Sequence, residues 1–310
     1  APSILTIIRQ EEKNLFHGLV AECEVLDQTH GWTFYKTTLA PEFWKLKLTR
    51  HNQAFLDLEF TDMISAALLD GGMSSSDFEI KTTRDYPLRE YVCQYGESHF
   101  DFISRWLERE GAYYFFEPGE TSEKLIITDS RLAHSKSLSE SGLIHTFVTG
   151  LKNPTGSNPA WDFWAGRRPG FRAIRLKDYN YRRPSLDISA EAEADPEGFG
   201  TVFHYGDHIQ SPEEGQTLAR IRAEQQLAEK SIFQGRSLSP FLKPGYLFTL
   251  HEHPNDDLNG EYLAVEVAHE GRQALRLASL LGLKSEYAAK DDFYKNHFRA
   301  IPSRVQFRPR

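Results

Sequence analysis

The sequence predicts a strand-rich α+β protein, and three observations carry that expectation. β-Branched and aromatic runs with partial period-2 alternation fill the first third and return after residue 245. Only three segments show helical periodicity, and each has readable ends. The stretch from Arg89 to Ile127 joins a strand, a helix and a hairpin into one unit loaded with aromatic residues.

In chain order, Leu15 to Leu26, Trp32 to Leu39 and Phe43 to Thr49 read as strands. Gln28-Thr29-His30-Gly31 is the turn between the first pair. Thr61 to Leu69 reads as a helix, with Met63/Ile64 and Ala67/Leu68 on one face and Gly71-Gly72 as its stop. The next strand places Tyr91, Cys93 and Tyr95 on one face. Ser98 and Asp101 have capping-box spacing, which supplies acceptors for the N–H groups a first helical turn leaves orphaned. Phe100, Ile103 and Leu107 form one stripe of that helix, with Phe102 and Trp106 beside it. Gly111 occupies the position of a left-handed C-cap. Strands at Ala112 to Phe116 and Leu125 to Thr128, turned by Pro118-Gly119, complete the unit.

Ser130 to Asn158 turns to Ser, Thr, Gly, His and Pro and reads as a loop between domains. Trp161 to Arg168 fits a packed edge or an interface. Ser211 and Pro212, followed by Glu213 and Glu214, start a helix expected to reach about Phe233. Its apolar face is confined to the first half. PGYLFTLHEHP and EYLAVEVAHEG then read as a hairpin with a long loop. The tail after Tyr287 is Pro-broken and aromatic, and it reads as an arm or linker.

At 310 residues, the chain is long enough for two modest domains. No apolar run approaches the ~20 residues of a membrane helix, and the first residues lack a signal peptide's pattern. A formal charge of −8 disfavours nucleic acid and anionic membrane as partners. Cys23 and Cys93, the only cysteines, lie in strand-like runs and are expected to be buried thiols.

Candidate chemistry is sparse. On a strand, His251 and His253 would share a face and could reach one cation, with Glu252 pointing away. A structural zinc needs four ligands, and no cysteine or clustered carboxylate is read nearby in sequence, so a strand end at Pro254 is the simpler reading. His204 and His208 would pair on a helix, but Gly206 argues against one. Gly71-Gly72 with Ser74-Ser75-Ser76 is a turn and lacks the helix start and lysine of a phosphate cradle. Glu108 and Glu110 read as a solvated, salt-bridged face. The aromatics Trp106, Tyr113, Tyr114, Phe115 and Phe116 have core or interface spacing. Arg167-Arg168, Arg182-Arg183 and the tail arginines read as pairing or solvated groups. No catalytic, cofactor-binding or metal-binding residue is assigned, and no cofactor is expected.

The Arg89–Ile127 unit resembles the signature segment of the VgrG family, the spike proteins of type VI secretion systems, relatives of the contractile phage tail hub. Leu15-Phe16-His17-Gly18-Leu19-Val20, the strand Tyr35 to Leu39 and Phe43-Trp44-Lys45-Leu46 resemble that family's early region. Lys243-Pro244-Gly245-Tyr246, His253-Pro254 and Leu258-Asn259-Gly260-Glu261-Tyr262-Leu263 resemble a later block. Tyr294-Lys295-Asn296-His297-Phe298-Arg299-Ala300-Ile301-Pro302 resembles the junction before the spike's oligomer-binding-fold domain. Two departures stand out: the chain starts close to the early region, where relatives have further strands, and it stops before the barrel and needle.

The resemblance implies a phage baseplate hub-like α+β fold with two barrel-like β subdomains and short packed helices. It places a first hub region at 1–130, with helices at 61–70 and 98–110 and a hairpin at 112–128. A crossing loop follows at 131–170, then a second barrel-like region at 171–286 with a helix at 211–233. Residues 287–310 become a linker toward an absent spike domain. The implied function is the non-catalytic hub of a homotrimeric cell-puncturing spike that joins the inner tube to the needle. Implied partners are the inner-tube ring, a spike-tip protein and effectors carried through the absent C-terminal part, with no nucleic acid and no stable membrane insertion. Assembly would occur in the cytoplasm, followed by delivery without a signal peptide. A prophage contractile-tail hub is the alternative within the class, and a metal-dependent hydrolase using His251 and His253 is the alternative outside it.

Overall fold

In the computed structural model, which describes residues 2–9, 12–29, 32–119, 122–135, 143–148, 159–272 and 293–310, the chain divides into two units. One is Ala1–Ala133 with Arg308–Arg310, and the other is His134–Phe307.

In the first unit, β1 (Pro2–Arg9), β2 (Glu12–Thr29) and β3 (Trp32–Ala40) form an antiparallel sheet with β2 central. A strand therefore precedes the early region where the sequence reading began its strands. β1 covers the first half of β2 and β3 the second. The run expected as a strand at Phe43 to Thr49 is instead a 3-10 helix, Glu42–Lys47. Pro41 precedes it, and Phe43 and Leu46 eclipse at the 3-10 spacing of three, both buried. Glu42 and Lys45 pair at 3.0 Å on the same spacing.

β4 (Arg50–Leu58) runs into α1 (Phe60–Asp70), and β5 (Phe78–Lys81) follows. Phe60, Met63, Ile64, Ala67 and Leu68 form the buried stripe of α1. Gly72, at φ +85°, makes its left-handed stop. β6 (Arg89–Ser98) pairs with β4 and enters α2 (His99–Glu110). The Ser98 Oγ accepts from the Asp101 N–H at 3.1 Å and donates to the Asp101 carboxylate at 2.7 Å. Gly111 takes φ +69°, as the sequence predicts. β7 (Tyr113–Pro118) and β8 (Glu123–Thr128) close the unit in the order β5-β8-β7. The core sits between α1, α2 and these sheets, and its fully buried residues include Phe102, Ile103, Leu107, Leu125 and Ile127.

The second unit contains a closed barrel. Its strands are β9 (Leu143–Phe147), β10 (Pro159–Arg167), β14 (Ser231–Ser237), β15 (Leu247–His251), β16 (Gly260–Arg272) and β17 (Phe293–Pro302), in the order β10-β14-β17-β16-β15-β9. Phe163, Phe233, Phe248, Tyr262 and Phe298 fill it. Gly235 makes room for that packing: a Cβ there would lie 2.6 Å from Phe298 and 2.9 Å from Phe163. β11 (Ala173–Asp178), β12 (Ile188–Glu193) and β13 (Thr201–Tyr205) form a separate sheet covered by α3 (Pro212–Lys230).

Several boundaries differ from the sequence reading. The span expected as a crossing loop, 131–170, supplies barrel strands β9 and β10. Ala160 and Phe163 join the barrel core and Trp161 is buried, while Trp164 is half exposed. The helix expected to reach Phe233 ends at Lys230, because β-branched and aromatic residues from Ile232 join the barrel beside β10 and β17. The expected linker is barrel from Phe293 to Pro302. Phe298, Ala300 and Ile301 are buried and Asn296 is fully enclosed. The N-terminal part of that expectation, residues 287–292, lies outside the described residues. Pro302 stands at the strand's end, where a missing donor costs least. Beyond it, Arg308 donates to the carbonyls of Gly111 and Asp129, both at 2.6 Å.

Candidate functional site

The carboxylates of the Arg89–Ile127 unit serve as structural anchors. Glu110 is buried, not solvated as the sequence reading held. Its two oxygens take Arg84 at 2.8 Å and Arg89 at 3.1 Å, with Arg109 at 3.7 Å. Three basic side chains thus neutralise one carboxylate where α2 ends, the arrangement a buried charge requires. Asp129 is buried too, and accepts from Thr83 N–H and Oγ1, Arg84 N–H and the Tyr86 hydroxyl. Burial raises the Tyr86 phenol well above its ordinary value. Both carboxylates tie down the 83–89 segment, Asp129 through four hydrogen bonds and Glu110 through Arg84 and Arg89.

The histidine pair does not converge. Glu252 takes φ +63°, which breaks the strand alternation after His251. His253 turns into a capped loop. Its Nδ1 accepts from the Asn255 N–H at 3.0 Å, its backbone exchanges bonds with the Asn259 side chain, and its ring lies 4.2 Å from Phe147. His204 lies on β13 and His208 at φ +57° in the loop after it. Among the described residues no group of three His, Cys, Asp or Glu side chains is arranged to hold a metal ion. Ser74 and Ser76 close a turn on Asp77. Cys93 is only half buried and Cys23 is exposed on β2, both departing from the expected buried thiols. Among the described residues the second half of β2 pairs only with β3.

What the geometry does offer is apolar sheet surface facing solvent. The outer face of β4–β6 consists of the cross-strand rows Leu56/Tyr91, Ala54/Cys93 and Asn52/Tyr95. Leu56, Tyr91 and Tyr95 are 60%, 62% and 82% exposed. This is the face the sequence marks by alternation at Tyr91, Cys93 and Tyr95. On the β2–β3 ribbon, Val25 and Tyr35 pair across the strands and both are exposed. On β13, Phe203 and Tyr205 face outward beside Arg175 and Lys177 of β11. The bland half of the aromatic reading holds for Trp106, Tyr113 and Phe115, which are buried. Tyr114 and Phe116 pack around Phe43. Clusters of solvent-facing aromatics of this kind characterise assembly surfaces more than substrate clefts. Among the described residues no helix is long and apolar enough to cross a membrane.

A strand-rich chain with a closed six-stranded barrel has the fold found in phage-tail hub proteins. Residues 3–275 match the family "Phage tail baseplate hub (GPD)", and the chain belongs to that family. It is homologous to VgrG proteins of Pseudomonas aeruginosa. It is 29% identical to the type VI secretion system spike protein VgrG1a over 94% of this chain and 45% of that protein. It is 28% identical to VgrG1b over 89% of this chain and 37% of that protein. The chain thus spans less than half the length of these relatives. Among solved structures, the fold resembles the E. coli c3393 protein, a component of the type VI secretion system, with a TM-score of 0.66 at 20% identity. That match covers 98% of this chain and 66% of the other. It also resembles a tail protein from Neisseria meningitidis MC58, with a TM-score of 0.65 at 8% identity, covering 95% and 84%.

Proposed function

We propose that this chain is the hub of a homotrimeric cell-puncturing spike in a type VI secretion system. In this reading it joins the inner-tube ring to the needle and performs no catalysis itself. The observation that carries it is the 28–29% identity to type VI spike proteins across about nine-tenths of the chain. The aromatic faces of β4–β6, β2–β3 and β13 supply surface for the contacts such a ring requires. A spike-tip protein and carried effectors are proposed to engage the part of the relatives' length that lies outside the matched span. Assembly in the cytoplasm followed by delivery into a target cell completes the proposal.

The prophage contractile-tail hub is a second reading, favoured by one observation. The family model that matches residues 3–275 is that of the phage tail baseplate hub. Light scattering at micromolar concentration tests the shared part, and a trimer or a monomer–trimer equilibrium is expected. A strictly monomeric chain at high concentration would refute autonomous assembly. Pull-down of type VI tube protein against prophage tube protein separates the two readings. Capture of the prophage tube alone would overturn the spike assignment.

A further inference from the structure

Two histidines and one carboxylate meet where three elements of the first unit join. His51 lies in β4, Asp70 ends α1 and His99 opens α2. The Nε2 atoms of His51 and His99 stand 3.7 and 3.5 Å from the same Asp70 oxygen. The two rings are 5.6 Å apart. His99 is 1% exposed, while the side chains of His51 and Asp70 are nearly half exposed.

The neighbouring amides assign the proton on His99. Gln94 Oε1 accepts from Gln53 at 3.0 Å, and Gln94 Nε2 donates to the Glu97 carbonyl at 3.2 Å, which fixes the orientation of that amide. The same Nε2 faces His99 Nδ1 at 3.4 Å, so Nδ1 accepts and the proton of the neutral ring sits on Nε2, toward Asp70. In this tautomer Nε2 presents a proton, not a lone pair, to Asp70.

We propose that His51, Asp70 and His99 form an acid-released latch that holds the α1, α2 and β4 junction together at neutral pH and loosens it on acidification. A proton added to His99 would create a buried cation at the positive end of α2, with the His51 ring 5.6 Å away. Several other charged groups on the packed elements are engaged elsewhere. Glu97 pairs with Arg105, Lys45 with Glu42, and Asp101 with the Ser98 hydroxyl. Lys47 lies over the Phe100 ring. Arg50 stands opposite Ser98, and Asp62 lies in the first turn of α1.

Burial pushes the His99 imidazole below its ordinary value, Asp70 opposes that and His51 reinforces it. A group depressed in the folded state stabilises it fully above the unfolded value of ~6.5 and loses that contribution as pH falls. With one linked proton, the opening constant of the junction rises by up to about tenfold per pH unit below ~6.5, until the folded midpoint is passed.

The test is histidine NMR titration of the 310-residue chain, with amide exchange in the first turn of α2, corrected for intrinsic rates. The His99 midpoint should lie below that of a free imidazole. Asp70→Asn should lower it further, and His51→Gln should raise it. His99→Gln should flatten the acid-linked opening of α2 whatever its effect on absolute stability. His269, which burial and then Lys243 push down to about 4, lies in the other unit and does not report on α2. A His99 midpoint at or above the ordinary value would overturn the latch. So would a rise on Asp70→Asn, or a His99→Gln variant that opens with acid as steeply as the wild type.

Discussion

Replacing Trp106 tests whether the α2 stripe is core and what holds it there. The side chain is 8% exposed. The guanidinium carbons of Arg89, Arg105 and Arg109 lie 5.8, 5.8 and 5.6 Å from its ring. Truncating a buried large aromatic costs about 3–5 kcal/mol. Three cation–π contacts, at about 0.5–1 kcal/mol each where solvent reaches them, place Trp106→Ala in the upper part of that range. The indole Nε1–H adds a second prediction, because it is buried with no hydrogen-bond partner among the described residues. Leaving a donor unsatisfied costs about 1–3 kcal/mol. Trp106→Phe keeps a ring under the guanidiniums and removes that donor, so it should cost only about 0–2 kcal/mol, the lost ring area offset by the relieved N–H. Urea denaturation followed by far-UV circular dichroism, with amide exchange in α2 to locate the transition, measures both. A Trp106→Ala chain within ~1 kcal/mol of wild type would place the stripe outside the core, against the range for buried aromatics. A Trp106→Phe chain as damaged as Trp106→Ala would show that the indole N–H has a partner.

Ser98→Ala removes both halves of the reciprocal bond with Asp101 and should lower the first unit's stability by about 1 kcal/mol, read from the same denaturation curves. Gly235→Ala should cost about 1–3 kcal/mol in the barrel, because the new methyl meets the Phe298 and Phe163 rings at under 3 Å; an unchanged melting temperature would mean those rings move freely. Truncation after Pro302 should leave the barrel's exchange protection unchanged, since β17 is complete. It should weaken the first unit by about 2 kcal/mol, the scale of charged hydrogen bonds such as those from Arg308 to the Gly111 and Asp129 carbonyls. Truncation before Phe293 should unfold the barrel.

Local rules made the α2 unit legible in the sequence. A Ser at the cap, a Gly at the stop and an i, i+3, i+7 stripe each act within a few residues, and the structure keeps all three. The Tyr91-Cys93-Tyr95 alternation likewise announced a face. What failed were judgements that depend on remote partners. The Pro-broken tail argues for a linker, but β17 closes the barrel because Phe298 and Ala300 alternate inward against β14 and β16, more than sixty and about thirty-five residues away. Glu110 looked solvated for the same reason: its partners Arg84 and Arg89 come from a segment that no helical spacing links to it. The junction of His51, Asp70 and His99 was invisible, since three residues on three elements share no period. A local signal fixes an element's ends, whereas burial of a charged group is decided by which distant segment arrives to neutralise it. For that reason the scaffold of this hub could be read in advance, but its electrostatic joints could not.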